Sequence, residues 1–279
     1  MRRAAMVSRV LAGALVSAIL LAGCADKPVV KLDPKIAPPA IGEAGVLRIG
    51  VDLGYPPFAG TDEGRKAGLD IDVASAVAAE LGLKTRFVDV PGDEVGEALG
   101  ARTVDIALAG IPISEAVMSD VAFAGSYALD GPVLFASGEQ TLTVAELGGK
   151  RVVAQQGSAA AWALEYELGA GAYTTVPTLR AALEAVASGT ADVAAGDALV
   201  GAYIARDLPK VLVAGKIGAA VPVGIAVAKD SPELESAVRQ ALDSLATEGI
   251  LETLRAKWAG SAPALRIDGA TGAIEATAP

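Results

Sequence analysis

Histidine and asparagine are absent from all 279 residues. Without an imidazole there is no Ser-His-Asp triad, no histidine metal ligand and no imidazole general base, and neither a metal nor an organic cofactor is expected. The one cysteine, Cys24, rules out an internal disulfide. Positive charge is scarce: 23 Lys and Arg stand against 33 Asp and Glu, a formal charge of -10. Without Arg2, Arg3 and Arg9 near the start, 20 basic residues face 33 acidic ones, a net -13. That balance argues against a nucleic-acid partner, since phosphates are held mainly by lysine and arginine. Aromatic residues make up 4%, so the core must be built from layers of small aliphatic side chains, which suits an α/β architecture. Long apolar runs are missing too. Val10 to Leu21 is twelve residues, short of the roughly 20 that a membrane helix needs.

Behind Arg2, Arg3 and Arg9, that run reads as the core of a signal peptide. Leu21-Ala22-Gly23-Cys24 directly follows and resembles the bacterial lipoprotein processing box. The resemblance implies that residues 1–23 are removed and that Cys24 is lipidated; the other reading is a free cysteine behind a plain secretory leader. Two or three acyl chains would hold the protein firmly at a membrane, in the periplasm or on the outer face of the plasma membrane. Residues 24–44 are polar and punctuated by Pro28, Pro34, Pro38 and Pro39. They read as a disordered tether, spanning about 25 Å as a flexible coil.

Leu47 to Gly50 is a short apolar run of strand character that empties into Asp52-Leu53-Gly54-Tyr55-Pro56-Pro57-Phe58. The two prolines predict a stiff, extended lip. Tyr55 and Phe58 read either as ring faces offered to a ligand or as core plugs. Val73, Val77 and Leu81 recur every four residues, with Asp70 and Asp72 as capping acids and Gly82 beyond, and predict a helix. Thr85 to Val90 and Val104 to Ala109 read as strands, with a short helix over Asp93 to Leu99. Strand, helix, strand, helix, strand builds a parallel sheet whose ligands lie beyond the strand carboxyl ends. Asp52, Tyr55, Ala109 and Gly110 then share one rim.

Four motifs, Gly45-Val46-Leu47-Arg48-Ile49-Gly50, Tyr55-Pro56-Pro57-Phe58, Gly68-Leu69-Asp70-Ile71-Asp72-Val73-Ala74 and Asp105-Ile106-Ala107-Leu108-Ala109-Gly110, resemble the family 3 extracytoplasmic solute-binding proteins, the amino-acid type that feeds ABC importers. The similarity runs from about Gly45 to Gly260. It implies a two-lobed periplasmic-binding-protein-like fold of type II, each lobe a mostly parallel sheet flanked by helices, joined by two hinge strands and closing on a ligand. On that pattern, residues 45–133 and 222–260 form one lobe, 134–221 the other, and 261–279 a tail. ABC permease subunits are the implied partners of a monomer.

The chain departs from the pattern where the family grips the α-carboxylate. Register places the family arginine at Val117 and its first Thr/Ser at Pro112, which offers neither hydroxyl nor N–H. A charge-assisted hydrogen bond is worth about 1.5–3 kcal/mol, against about 8 kcal/mol for a whole micromolar affinity. Arg102, the nearest cation in sequence, sits at the wrong end of its strand. An ordinary free amino acid is therefore disfavoured, and an amine, a cation or a neutral polar solute is expected.

In the second lobe, Asp130 to Ser137 reads as the first hinge strand and Arg151 to Gln155 as a strand running into Gly157-Ser158-Ala159. The family holds carboxylate there with Gly-Thr-Thr; here Ser158 reads as a ligand contact or as a helix cap, with Ala159 lacking the second hydroxyl. Trp162 in the following helix reads as core. Leu179 to Ala187 predicts a helix, and Ala191 to Asp197 a strand. Asp197 matches the family acid for the ligand's ammonium group, or caps the next helix. Val221 to Ala228 reads as the second hinge strand, and Ser231-Pro232 opens a helix with Leu234, Val238, Leu242 and Leu245 buried. Beside the importer's binding protein stand a ligand-sensing receptor for a signalling partner and a secreted dehydratase on the same fold, using Asp52, Glu115 or Asp197 as acids.

Overall fold

Runs of small aliphatic residues between glycines become the strands of two five-stranded sheets, and the computed structural model describes them through residues 32–114 and 121–260 plus two short backbone strands beyond. Everything from Asp33 on belongs to one unit. Its strands are β1 (Val46–Val51), β2 (Gly60–Asp62), β3 (Arg65–Ala67), β4 (Lys84–Asp89), β5 (Ile106–Leu108), β6 (Val121–Asp130), β7 (Pro132–Ser137), β8 (Val152–Gln155), β9 (Thr174–Val176), β10 (Val193–Asp197), β11 (Val211–Lys216), β12 (Val221–Ala228), β13 (Leu265–Ile267) and β14 (Ile274–Ala276). The helices are α1 (Leu69–Glu80), α2 (Val95–Gly100), α3 (Ala159–Leu168), α4 (Leu179–Ala187), α5 (Ala198–Ala205), α6 (Pro232–Thr247) and α7 (Ile250–Ala259).

The first sheet has the order β4-β1-β5-β12-β6, with β4, β1 and β5 parallel and β12 antiparallel to both its neighbours. Period-two alternation divides its faces. Leu47, Ile49, Val51, Ile106, Leu108, Ile225 and Val227 face α1, α6 and α7, while Ala107, Ala109, Ala226 and Ala228 face Val95 and Leu99 of α2. Large side chains on one face and alanines on the other let a short helix approach closely. The second sheet, β11-β7-β10-β8-β9, repeats the plan with β10, β8 and β9 parallel. Here α3 covers Leu134 and Val193, and α4 covers Phe135 and Ala194.

The chain crosses between the sheets at Gly131 and again between β11 and β12. Gly131 has φ +159°, and a Cβ there would stand 3.0 Å from both Ala219 O and Ala220 Cα on the returning strand. Only glycine lets the two crossings touch. Helix α5 of the second lobe also leans on the first: Leu199 joins the first core, and the Tyr203 and Trp258 ring centroids are 6.5 Å apart.

Three expectations change. The expected tether is packed from Asp33 on: Ile36 and Ile41 are buried in the first core, Lys35 N donates to Leu81 O, and Gly42 N donates to Asp105. An exposed Pro-rich stretch becomes ordered here because two isoleucines five residues apart find apolar cover. Trp162, expected in the core, is 67% exposed, because Ala160, Ala161 and Leu164 already fill the face of α3 turned to the sheet. Asp70 does not cap α1, whose N-cap is Gly68 without a side-chain bond; it is buried within the first lobe.

Candidate functional site

The loop after β1 turns back on itself instead of running extended: Tyr55 N donates to Asp52 O and Ala59 N to Tyr55 O. Asp52 fixes its start, accepting from Gly54 N at 2.9 Å and from Gly92 N at 3.2 Å. The turn sends the two rings to different fates. Phe58 is fully buried, and Tyr55, 37% exposed, stacks on it with centroids 5.1 Å apart. Phe58 is thus the floor under the site and not part of its surface.

Gly110 lies beneath the same ring at φ +61°, and a Cβ there would come within 2.7 Å of Tyr55 Cε1 and 3.0 Å of Phe58 Cδ2. Both the backbone conformation and the space demand glycine. Gly110 N donates to Asp70 Oδ2 at 3.1 Å, and the Tyr127 hydroxyl donates to Asp70 Oδ1. Asp70 is wholly buried. Burial pushes it up to about 7, with the Tyr127 and Gly110 bonds pulling the other way. Ala109 is buried just before, and Pro112, exposed, forms a lone bridge to Val223 flanked by bonds from Ile113 N to Pro222 O and from Gly224 N to Ile111 O. Val117 and Glu115 lie outside the described residues.

Asp197 is the last residue of β10 and stands at the N-cap position of α5. Its carboxylate makes no capping bond. The helix start is satisfied from elsewhere: Ala198 N donates to Gly131 O, and Leu199 N donates at 3.0 Å to Asp130 Oδ1, which also accepts from Gly131 N. Burial holds Asp197 above the usual carboxylate range. Burial also raises Asp130 to about 6, helped by Asp197 and opposed by the amides. Tyr55 is where these charges meet. Its phenol is pushed up to about 12, first by burial and then by Asp130, Asp197, Asp70 and Asp52.

Asp52, Tyr55, Gly110 and Asp197 are therefore brought to one place, with Phe58 below. Sequence reasoning missed Asp70 and Asp130. Ser158 is a cap: its hydroxyl donates to Gln155 O at 2.9 Å and accepts from Ala161 N at 3.1 Å, with exposed Ala159 following at the start of α3. Arg102 is paired with Asp230 at 2.7 Å and bonded to Ser231. Arg151 is likewise held by Asp192.

Several carboxylates acting on one half-exposed aromatic ring can seat a small cation, the carboxylates to pair it and the ring face to cover it. Comparison with known proteins fits this architecture. L-arginine-binding protein of Pseudomonas aeruginosa is 27% identical over 231 residues, 76% of this chain and 87% of that one. The histidine-binding periplasmic protein of Salmonella typhimurium is 33% identical over 115 residues, 40% of this chain and 44% of its own. A solved ancestral cationic amino acid solute binding protein superposes with a TM-score of 0.69 at 30% identity, covering 77% of this chain and 95% of the other. A family model matches residues 47–261, and the chain belongs to the bacterial extracellular solute-binding proteins, family 3.

Proposed function

We propose that this is a lipid-anchored, monomeric receptor that captures a small amine or guanidine cation outside the cytoplasm and delivers it to the permease of an ABC importer. The observation that carries the reading is Asp197, a half-buried carboxylate left without a capping bond and near enough to act on the Tyr55 phenol together with Asp130 and Asp52. Relatives named for arginine and for cationic amino acids support a positively charged ligand. Pro112, which cannot donate where the family pattern has a hydroxyl, supports one without an α-carboxylate. Cys24, which lies outside the described residues, would carry the anchor. The binding-protein character of the relatives supports capture without chemistry.

Isothermal calorimetry on the chain lacking residues 1–24 tests the ligand class. Agmatine or 1,4-diaminobutane should bind at low micromolar concentration and free amino acids far more weakly. A low-micromolar constant for any common amino acid would show that the carboxylate is gripped after all. Metabolic labelling with palmitate in the native host tests the anchor, and a Cys24→Ser variant that still carries label would remove it.

A further inference from the structure

Asp70 and Asp72 stand two residues apart in the first turn of α1 and serve different partners. Residues at that spacing do not share a face of a helix. Asp70 is buried and accepts from Gly110 N beneath the Tyr55 ring. Asp72, half-buried, accepts from Trp258 Nε1 at 2.7 Å and from Lys257 Nζ at 2.6 Å. Both donors belong to α7, so this acid ties α1 to the helix that carries Trp258.

The indole held there is the rest for the far end of α5. Its centroid is 6.5 Å from that of the Tyr203 ring, and the Arg206 guanidinium lies 5.5 Å from the Tyr203 centroid. Asp197 begins the same helix, and along it Leu199 is buried in the first core, with Val200 and Ala202 packed against that core. At the start, Ala198 N and Leu199 N are bonded to Gly131 O and Asp130. Those two bonds pin the first turn but leave the direction of the helix open. Its 8 residues make a stiff rod, about 12 Å long at 1.5 Å per residue, so the direction is set by what the other end lies on. An indole has a single donor, fixed in the ring plane, and its bond to Asp72 therefore fixes how the ring lies. Turning α5 about its pinned start swings the Asp197 side chain, which leaves the backbone one residue before the pin.

Resting on the cation-capture reading above, we infer that Asp72 is a positioning residue for the ligand: through Trp258 and Tyr203 it sets the direction of α5 and so the place of the Asp197 carboxylate relative to Tyr55. Asp70, in the same turn of α1, sets Tyr55 through Gly110. One helical turn thus gauges the spacing between the ring and the acid, and Asp72 does so without touching the cation.

A double-mutant cycle tests this, read by calorimetry with 1,4-diaminobutane on the chain lacking residues 1–24. Asp72→Ala should weaken binding at least fivefold in the wild-type background and less than twofold where Asp197 is already changed to Asn, because a residue acting through Asp197 then has nothing left to position. Tyr203→Ala removes the other half of the ring contact and should behave alike, which decides the matter if Asp72→Ala does not fold. Asp72→Asn, which keeps an acceptor for the indole, should recover to within twofold of wild type. A role in stability alone would lower the melting temperature and leave the affinities of Asp72→Ala and Tyr203→Ala within twofold of wild type, which overturns the inference. Equal losses in both backgrounds overturn it too, since the effect would then not pass through Asp197. Asp72→Asn as weak as Asp72→Ala would move the effect from the indole bond to the charge, and likewise overturn it. All three results leave the capture reading standing. A wild-type chain that does not bind the diamine, or Asp197→Asn binding it as tightly as wild type, would remove that reading and this inference with it.

Discussion

Asp130 caps the helix that Asp197 begins. The Asp130 carboxylate, at the end of β6, accepts Leu199 N at 3.0 Å, and Asp197, at the N-cap position of α5, makes no capping bond of its own. A capping acid is normally the residue at the helix start. Delegating the task to Asp130, 69 positions before the Leu199 amide it accepts from, leaves the Asp197 carboxylate without a capping role and ties the start of α5 to the end of β6.

The two acids should therefore respond differently to substitution. Asp197→Asn is expected to weaken diamine binding at least tenfold in calorimetry and to leave the melting temperature within a degree or two of wild type. Asp130→Ala should lower both, since losing a cap costs about 0.5–2 kcal/mol and each kcal/mol shifts the midpoint by roughly 2–4 °C in a domain of this size. Equal stability losses in the two variants would return Asp197 to capping.

Gly110→Ala should be costly on two counts. The φ of +61° disfavours any side chain, and the new Cβ would press on Tyr55 at 2.7 Å. A loss of roughly 1–3 kcal/mol is expected from the backbone alone, with diamine affinity falling as the ring moves. Thermal denaturation and calorimetry read the two effects, and an unchanged affinity would mean that Tyr55 does not cover the ligand.

Much of this was readable from the sequence, and what was not has physical causes. β1 and β5 announced themselves as buried apolar runs beside glycine, and β4, with the polar sequence Lys-Thr-Arg-Phe-Val-Asp, by its place after the Gly82 that follows α1. β6 did not: in Val-Ala-Phe-Ala-Gly-Ser-Tyr-Ala-Leu-Asp, its pairing with β12 shifts register twice, which erases the period of two. α3 misled because apolar residues surround it, so nothing in its spacing separates the buried Leu164 from the exposed Trp162. Asp130 and Asp70 stayed hidden for another reason. Their partners, Leu199 and Tyr127, are 69 and 57 residues away, and a bond across that distance leaves no local signature.

The ion pair under the first sheet should be among the most sensitive positions. Asp105, 7% exposed, accepts from Gly42 N and Arg48 N, both at 2.8 Å, and from the Arg48 guanidinium at 2.6 Å and 3.2 Å. Asp105→Ala leaves Arg48 partly buried without its counter-charge and releases the segment around Gly42. Breaking a buried pair on one side costs roughly 3–5 kcal/mol. Urea denaturation should show that loss, and a change below 1 kcal/mol would mean that water takes over the carboxylate's place.

Asp70 makes stability fall as the solution goes from acid to neutral. Its folded value is about 7, against 3.8 as its ordinary value, so the folded chain holds a proton that the unfolded chain releases. The stabilisation is full below the ordinary value and is lost as pH rises through about 7. The melting temperature should drop between pH 4 and about pH 7 and level off above it, and Asp70→Asn, which keeps an acceptor for Gly110 N, should flatten the drop. An identical slope in the variant would place the titration on other groups.

Ligand capture should run the opposite way with pH. A cation is held by carboxylates only when they are ionised, and burial raises Asp130 to about 6 and lifts Asp197 in the same direction. Asp52 and Asp70 complete the set of acids acting on Tyr55, whose phenol, pushed up to about 12, stays neutral throughout. Affinity for 1,4-diaminobutane should therefore rise as pH climbs through about 6 and level off near neutrality, while the diamine itself keeps both charges. Below the midpoint each proton that binding must displace weakens affinity by about tenfold per pH unit. Asp197→Asn removes one such proton, so its curve should be shallower as well as lower. Calorimetry in buffers of differing ionisation enthalpy would count the released protons directly. Equal affinity at pH 5 and pH 7.5 with no proton release would mean that neither Asp130 nor Asp197 meets the cation.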